Sequence, residues 1–217
     1  ITGNVHFLLI KKSENFSEKL GETFRTYQLE EGDVIDILAT KSSVYGYFAV
    51  EGGFNINKYN NSGSTLVRSG IGPNDGKRIQ ENQSVNFNLK SNDKKNMKIA
   101  SLSNYKDNII RVLEGPQINF FSSEIINNFF KKTFKISNNA DRMGIRLEGN
   151  IILPKNSSNI PSEGIIKGSI QVPGDGNPIV LMVDHPTIGG YPKIATVIMN
   201  DIAKLAHLSM GKEIRFQ

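Results

Sequence analysis

The sequence contains no cysteine, which excludes disulfide bonds, thiol nucleophiles and thiolate metal sites together. Only three histidines are present, and His6, His185 and His207 are too scattered for the familiar zinc spacings. No apolar run approaches the roughly 18 residues that a membrane-spanning helix requires. The first residues also lack the basic and then apolar order of a secretory signal. We therefore expect a cytoplasmic protein with no metal site and no membrane segment.

The composition of the 217 residues, 38% hydrophobic and 22% charged, is ordinary for a soluble globular protein. The formal net charge is +5, and the excess lysines are concentrated in polar stretches such as residues 90–98 and 131–135. A solvated surface explains such stretches, and the steering of small anions is the alternative. Nucleic-acid binding would require aromatic platforms or a recognition helix beside the charge, and neither is evident. We expect no nucleic-acid partner.

Short apolar or alternating runs bounded by turn residues recur along the chain, and their density favours a β-rich barrel or sandwich with few helices. The runs are residues 5–10, 23–29, 34–38, 45–50, 85–89, 109–113, 151–153, 168–172 and 179–183. The chain begins at Ile1, and its first strand-like run follows with no preceding cap or turn. We therefore expect this sequence to start within a domain.

Two segments show helical spacing instead. The first opens at Ser122 or Ser123 as N-cap, with Glu124 in the first turn. The second is predicted over residues 191–208, with Pro192 in its first turn and a glycine after its end. Both are expected to pack an apolar face against the core.

Residues 29–37 (LEEGDVIDI) and 208–216 (LSMGKEIRF) resemble each other, and residues 79–87 (IQENQSVNF) form a fainter third copy. Each copy predicts an apolar residue that packs into the core, then a tight polar turn, and then a strand that closes a sheet. The echo predicts two related barrel-like units, residues 1–90 and residues 91–217. Their boundary is expected in the polar stretch 90–98.

A glycine-rich turn, VPGDGNP at residues 172–178, lies between two β-branched runs. Gly174 and Gly176 can adopt positive φ and direct backbone N–H groups toward a ligand or toward Asp175. A β-turn that only reverses the chain is the alternative. The turn is not a Walker loop, because no Gly-Lys-Ser or Gly-Lys-Thr follows it.

The segment DHPTIGGYPK at residues 184–193 passes through Gly189 and Gly190 into the predicted start of the second helix at Tyr191. Free N–H groups at a helix N-terminus suit a carboxylate, a phosphate or a developing oxyanion. Lys193 would lie in the first turn, where a positive charge is unfavourable to the helix. Its presence there favours a catalytic role, with a surface lysine as the alternative.

Thr187 belongs to the same loop and is a candidate substrate contact. Asp184 either orients His185 or Lys193, as a catalytic group would, or only caps the turn. His185 alone is a poor catalytic candidate, because no serine and carboxylate partners are identifiable by spacing.

Residues 141–149, DRMGIRLEG, alternate charged and apolar groups as an extended strand does. Arg142 and Arg146 would then lie on one face, and their forked guanidinium groups suit a substrate carboxylate or carboxy group. The alternative is pairing within the protein, to Asp141, Glu148 or Glu163. Arg68, in a second glycine-dense region at residues 62–72, is a further candidate substrate contact, with a structural loop as the alternative explanation of those glycines.

Six segments of this chain together resemble the biotin-dependent carboxyltransferase family, which includes allophanate hydrolase subunit 2 and the C subunit of ATP-dependent 5-oxoprolinase. They are FAVEGGF, GSTLVRSGIGPNDGKRI, RVLEGPQ, DRMGIRLEG, SEGIIKGSIQVPGDGNPIVLMVDHPTIGGYPKIATVI and IRF. The resemblance implies tandem cyclophilin-like β-barrels, of which the first would be incomplete here. It also implies a partner, the B subunit of the same heteromeric complex. NSGST at residues 61–65 departs from the usual GSRST, and Ile188 replaces a common threonine, which leaves the substrate open.

The resemblance implies a small amide or lactam substrate and offers three functions. The first is ATP-dependent opening of 5-oxoproline to glutamate, with ATP acting through the assembled complex. The second is carboxyl transfer to urea or a similar amide from biotin carried on a partner protein, since Asn96-Met97-Lys98 lacks the flanking residues of a biotin attachment site. The third is a regulatory binding role without catalysis. In the first two, backbone N–H groups at residues 174–176 and 189–191 would stabilise oxyanions.

Overall fold

The computed structural model describes residues 1–40, 43–88, 96–99 and 108–217. These residues are mainly β structure with two α-helices, so the predicted fold class is confirmed. They form two compact units, Ile1–Ala39 with Gly46–Ala100, and Thr40–Tyr45 with Ser101–Gln217. The boundary expected in residues 90–98 falls mostly outside the described residues, and residues 1–90 and 91–217 as two cyclophilin-like barrels stay a prediction.

The first five strands form a three-stranded sheet in the order β3-β2-β4 and a separate antiparallel pair of β1 with β5. The strands are β1 (Thr2–Gly3), β2 (Val5–Lys11), β3 (Ser17–Leu20), β4 (Val34–Thr40) and β5 (Gly46–Tyr47). Alternation along β2 buries Val5, Phe7 and Leu9, as expected for a strand with one face against a core. The predicted run 23–29 forms only an isolated bridge at Arg25.

The second unit is an eight-stranded sheet in the order β6-β15-β8-β9-β12-β11-β14-β7, accompanied by a short pair of β10 with β13. Its elements are β6 (Ile109–Ile110), β7 (Val112–Glu114), α1 (Ser123–Lys131), β8 (Phe134–Ile136), β9 (Gly144–Glu148), β10 (Glu163–Gly164), β11 (Ser169–Gln171), β12 (Ile179–Leu181), β13 (Ile188–Gly189), β14 (Lys193–Val197), α2 (Met199–His207) and β15 (Glu213–Phe216). The two outermost strands, β6 and β7, are separated in the chain by Arg111 alone, so the sheet is nearly closed into a barrel. The N–H of Val112 donates to the carbonyl of Gln217 at 2.8 Å and ties the two ends together.

The barrel core is apolar, and α1 packs against it as predicted. Ser122 caps the helix, because its Oγ accepts a hydrogen bond from the N–H of Ile125 at 3.2 Å. Phe129 is fully buried and stacks on Phe216 with ring centroids 4.6 Å apart. Strand residues with no exposed surface complete the core: Ile110, Phe134, Leu147, Ile170, Val180 and Ile194.

The second helix is shorter than predicted, since α2 spans Met199–His207 and the prediction over residues 191–208 is wrong at its start. Lys193–Val197 instead form β14, which lies between β11 and β7. A strand that is buried on both faces, as β14 largely is, reads as a continuous apolar run, and periodicity alone does not separate such a run from a helix. Residues 151–153 form no strand either.

The three similar segments share one backbone turn. N–H groups of Asp33, Gln83 and Lys212 donate to carbonyls three residues earlier, at 3.0, 3.2 and 3.2 Å. The third turn residue has positive φ in each copy: Gly32 at 92°, Asn82 at 62° and Gly211 at 80°. Positive φ at this position is typical of a type II turn and favours glycine or asparagine. The predicted tight turn is therefore present in all three copies, and β4 and β15 follow the first and third.

Candidate functional site

A β-bulge in the barrel brings two polar side chains together. Gln171 at the end of β11 lies opposite Lys193 at the start of β14, while the previous register pair is Ile170 with Ala195. Ile194 is thus an extra residue in β14. Bulges of this kind redirect side chains and are common beside active sites. Gln171 and Lys193 are 5% and 4% exposed, so both polar groups are taken from water.

Lys193 is held in a network with Glu163 of β10 and with Gln117. Its Nζ forms an ion pair with Oε1 of Glu163, which also accepts a hydrogen bond from Nε2 of Gln117 at 2.7 Å. Oε1 of Gln117 accepts in turn from the backbone N–H of Lys193 at 3.1 Å. The hydrogen bonds from Lys193 and then Gln117 lower the pKa of the Glu163 carboxyl. Glu163 is therefore an anion that balances the charge of Lys193.

Gln171 completes this group, which we call the polar cluster: Gln117, Glu163, Gln171 and Lys193. Glu163 is the register partner of Gly189, and a Cβ added at Gly189 would lie 2.5 Å from Nε2 of Gln171. Gly189 thus leaves the space that the buried amide occupies. Within the described part of the chain, this Nε2 is the one buried side-chain nitrogen or oxygen without a hydrogen-bond partner. Buried polar groups are nearly always paired, so the exception calls for a reason.

Gly115 allows Gln117 to reach the cluster. The N–H of Gly115 donates to the carbonyl of Ile194 at 2.9 Å, and a Cβ at this position would lie 2.3 Å from the carbonyl oxygen of Lys193. No side chain fits there without displacing the backbone of β14. The glycine of the RVLEGPQ segment is therefore explained by a close approach of two backbones.

Asp184 lies in a second ion pair, with Arg142. Its two oxygens accept from Nε and Nη2 of Arg142 at 2.6 and 3.1 Å, and this pairing lowers the pKa of the Asp184 carboxyl. Asp184 thus orients Arg142, and it orients neither His185 nor Lys193. The alternative of pairing within the protein therefore holds for Arg142, but with Asp184, a partner that the sequence did not suggest.

Arg142 and Arg146 do not share one strand, so that expectation is wrong. β9 begins at Gly144, and Oδ1 of Asp141 accepts from the N–H groups of Met143 and Gly144 at 2.8 and 3.1 Å. Such a turn at an aspartate competes with strand pairing. Arg146 is on β9 and exposed, and it makes no hydrogen bond or ion pair through its side chain to another residue that the structure describes.

The predicted glycine-rich turn reverses the chain between β11 and β12. The N–H of Gly176 donates to the carbonyl of Pro173 at 3.0 Å, and of the two glycines only Gly176 has a positive φ, of 73°. Asp175 accepts from the N–H and the side-chain amide of Asn177, at 3.1 and 3.2 Å. Gly174 and Asp175 are exposed, and their N–H groups donate to no acceptor in the described ranges.

The loop before β14 differs most from expectation. In the fully described stretch 108–217, no helix begins at Gly190 and Tyr191. The prediction of an anion site at a helix N-terminus there is therefore wrong. The carbonyl of Thr187 accepts from Ile165 at 3.1 Å, and that of Gly190 accepts from Ile160 at 2.9 Å. Tyr191 is 39% exposed beside the buried start of β14.

Arg68, the remaining predicted substrate contact, lies in the first unit, as does Lys98, which was rejected as a biotin attachment site. Arg68 is exposed in a single 3-10 turn, Val67–Ser69. Nζ of Lys98 pairs with Oε2 of Glu22 at 2.9 Å. Across the described ranges no three His, Asp or Glu side chains are grouped as metal ligands, and no helix is long and apolar enough to cross a membrane.

Sequence reasoning missed most of the polar cluster. Gln117 and Gln171 were not singled out, and Glu163 was considered only as a partner for arginine. All three lie in segments that carry the family resemblance, RVLEGPQ and SEGIIKGSIQVPG. That shared location was the available signal.

Comparison with known proteins identifies relatives of this chain in sequence and in fold. The C subunit of the 5-oxoprolinase of Haemophilus influenzae is 34% identical over 194 residues, covering 88% of this chain and 61% of the relative. The urea amidolyase of Saccharomyces cerevisiae is 27% identical over 213 residues, covering 87% of this chain and 11% of the relative. The crystal structure of the Kluyveromyces lactis urea carboxylase shares the fold, with a TM-score of 0.82 at 23% identity, over 99% of this chain and 20% of that chain.

The chain spans about three fifths of the length of the Haemophilus influenzae relative. The family model described as carboxyltransferase domain, subdomain A and B, matches residues 14–217. That range includes every member of the polar cluster and the ion pair of Arg142 with Asp184. The chain belongs to this carboxyltransferase domain family.

Proposed function

We propose that this chain acts as one component of an ATP-dependent 5-oxoprolinase, which opens 5-oxoproline to glutamate together with a partner, the B subunit. The observation that carries the proposal is the 34% identity to the C subunit of the Haemophilus influenzae 5-oxoprolinase. In this proposal ATP acts through the assembled complex, and any biotin is carried on a partner protein.

The polar cluster supports a role for Lys193 in the chemistry. A lactam carbonyl is a poor electrophile, so activation by phosphorylation followed by attack of water is a reasonable route. Charge that develops on oxygen along this route is stabilised by fixed donors. Lys193 is such a donor, because the bulge and Glu163 fix its position.

Backbone donors extend the proposed site. Gly174 and Asp175 are exposed, and their N–H groups donate to no acceptor in the described structure, so they are suited to a substrate oxygen. In the proposal Arg146 binds the substrate carboxylate or a phosphate through its exposed fork. Asp184 acts as a positioning residue that holds Arg142 for the same purpose.

The test is coexpression of the full-length chain with the proteins encoded beside it, followed by assays with ATP. We expect glutamate to appear in proportion to ATP hydrolysed when 5-oxoproline is supplied, and little hydrolysis when it is withheld. A complex that assembles and hydrolyses ATP only with urea contradicts the proposal.

The alternative is carboxyl transfer from carboxybiotin to urea or a similar small amide. The match to the Saccharomyces cerevisiae urea amidolyase favours it, as does the carboxyltransferase description of the family. Copurification of a biotinylated protein, seen by avidin blotting, together with urea-dependent ATP hydrolysis would support this alternative. Tight binding to the B subunit with no turnover of either substrate would support a regulatory role.

A further inference from the structure

Gln171 has a buried side-chain amide without a hydrogen-bond partner, although it lies beside three paired polar groups. The residue is 5% exposed, and its Nε2 has no partner in the described structure. A buried donor without an acceptor forfeits the hydrogen bonds it made to water in the unfolded chain. An apolar side chain of similar size at this position on β11 would avoid that loss. Folding alone therefore does not account for a glutamine here.

A small two-stranded segment lies over this amide. Nε2 of Gln171 lies against Gly189 of β13, which pairs with β10, and each of these strands has two residues. We call this pair the ribbon. Glu163, at the start of the ribbon, fastens it to Lys193 and to Gln117. A two-stranded ribbon is marginally stable by itself, so these bonds help to hold it over Gln171.

The charges of the polar cluster favour a neutral ligand. Glu163 and Lys193 neutralise each other, and Gln117 and Gln171 carry no charge. A carboxylate or phosphate placed here would have to compete with Glu163 for Lys193. A neutral carbonyl needs only a donor, which Nε2 of Gln171 supplies, while the partly exposed Glu163 can accept from an amide N–H.

We propose that Gln171 is a specificity-determining residue, whose Nε2 donates a hydrogen bond to the carbonyl oxygen of the substrate lactam or urea group when the ribbon moves aside. The proposal rests on the proposed function for the class of substrate. It assigns recognition of the neutral amide to the polar cluster, and it leaves the substrate carboxylate to other groups such as Arg146.

The experiment measures binding of 2-pyrrolidinone, a neutral lactam, to the full-length chain in its complex by ligand-observed NMR titration, with acetate as the anionic probe. Gln171→Leu should weaken 2-pyrrolidinone binding by about three- to tenfold, the scale of one neutral hydrogen bond. Acetate binding should not change. The Tm of Gln171→Leu should equal or exceed that of the wild type, because no hydrogen bond from Nε2 within the described structure is lost.

Ser169→Ala is the matched control, since Ser169 is buried on the same strand two residues away. It should leave binding of both probes unchanged. Equal 2-pyrrolidinone binding by wild type and Gln171→Leu overturns the proposal, as does a wild-type complex that does not bind 2-pyrrolidinone. A lower Tm with unchanged binding would make Gln171 a structural residue and also overturns it.

Turnover separates this proposal from the proposed function. If the complex is active, Gln171→Leu should raise the KM for 5-oxoproline by a similar factor and change kcat less. If the complex hydrolyses ATP with neither 5-oxoproline nor urea, the proposed function fails. The 2-pyrrolidinone titration then still decides the role of Gln171.

Discussion

Lys193 and Glu163 form an ion pair that is buried at one end and open at the other. The lysine side chain is 5% exposed and the glutamate side chain is 43% exposed. Burying an unpaired ammonium group is costly, so Glu163 is what permits a lysine at the start of β14. Because the carboxylate reaches solvent, it can exchange its contacts when a ligand arrives, whereas Lys193 is held in place.

The first prediction concerns this lysine. Lys193→Met keeps the side-chain volume and removes the charge, and we expect turnover of the assembled complex to fall by about two orders of magnitude, the scale of one positioned charge-stabilising donor. The Tm should change little, because Glu163 stays partly solvated and bonded to Gln117. Steady-state kinetics and thermal melts provide both measurements.

Lys212→Met is the control for this substitution, since Lys212 is exposed and its side chain bonds to no described residue. Its turnover should match the wild type. Full activity in Lys193→Met would remove the lysine from the chemistry and leave it a structural role.

The second prediction concerns the close approach at Gly115. Gly115→Ala should destabilise the second unit by about 1–3 kcal/mol, the usual cost of forced overpacking, since the new Cβ would lie 2.3 Å from the carbonyl oxygen of Lys193. Gly164→Ala is the control, because a Cβ there meets nothing within 4 Å. Urea denaturation of both variants tests the difference. Equal stability of the two variants would show that the backbone of β14 shifts to accommodate the added methyl group without loss of stability.

Local signals explain which parts of this fold were predictable. The helix α1 was found because its cap, Ser122, lies three residues from the N–H it bonds. β14 was mistaken for a helix because its strand partners, β7 and β11, are far away in the chain. Residues 193–198 have an apolar spacing that fits a helix as well as a buried strand.

The candidate site was predictable only in part for the same reason. Lys193 was identified from its own neighbourhood, but Gln117 is 76 residues away from it and Glu163 is 30 residues away. The Asp184 pairing to Arg142 spans 42 residues. Bonds across such separations depend on the barrel order of the strands, which no local pattern reveals.

The third prediction concerns acid stability. Asp201 is buried at the start of α2 and accepts from the N–H, Nε and Nη2 of Arg111 at 2.8, 3.1 and 2.6 Å. These bonds lower its pKa when folded. The stabilisation by Asp201 is therefore complete when the pH is above the pKa of an aspartate in the unfolded chain, about 4. It disappears as the pH falls through the lowered pKa of Asp201 in the folded protein.

Asp201→Asn should lower the free energy of unfolding by about 2 kcal/mol at pH 7, which is within the range for a hydrogen bond to a charged group. The difference from wild type should shrink as the pH falls below about 4, because the wild-type carboxyl then becomes neutral as well. Urea denaturation at a series of pH values measures it. Asp36→Asn, at an exposed position on β4, should show no such difference. If the difference in unfolding free energy between wild type and Asp201→Asn did not change with pH, the stabilising role of the Asp201 carboxylate would be contradicted.

The last prediction concerns Arg146, whose exposed guanidinium group makes no hydrogen bond or ion pair to the rest of the described structure. If it binds the substrate carboxylate, the contact is made equally in the ground state and the transition state. Arg146→Ala should then raise the KM for 5-oxoproline by about tenfold, the scale of a charged hydrogen bond, with kcat nearly unchanged. Arg146→Lys should recover only part of the affinity, because it keeps the charge and loses the fork. Arg215→Ala, at an exposed arginine on β15, should leave both constants unchanged. A fall in kcat with constant KM would place Arg146 with the groups that act only in the transition state, and unchanged kinetics would remove it from the site.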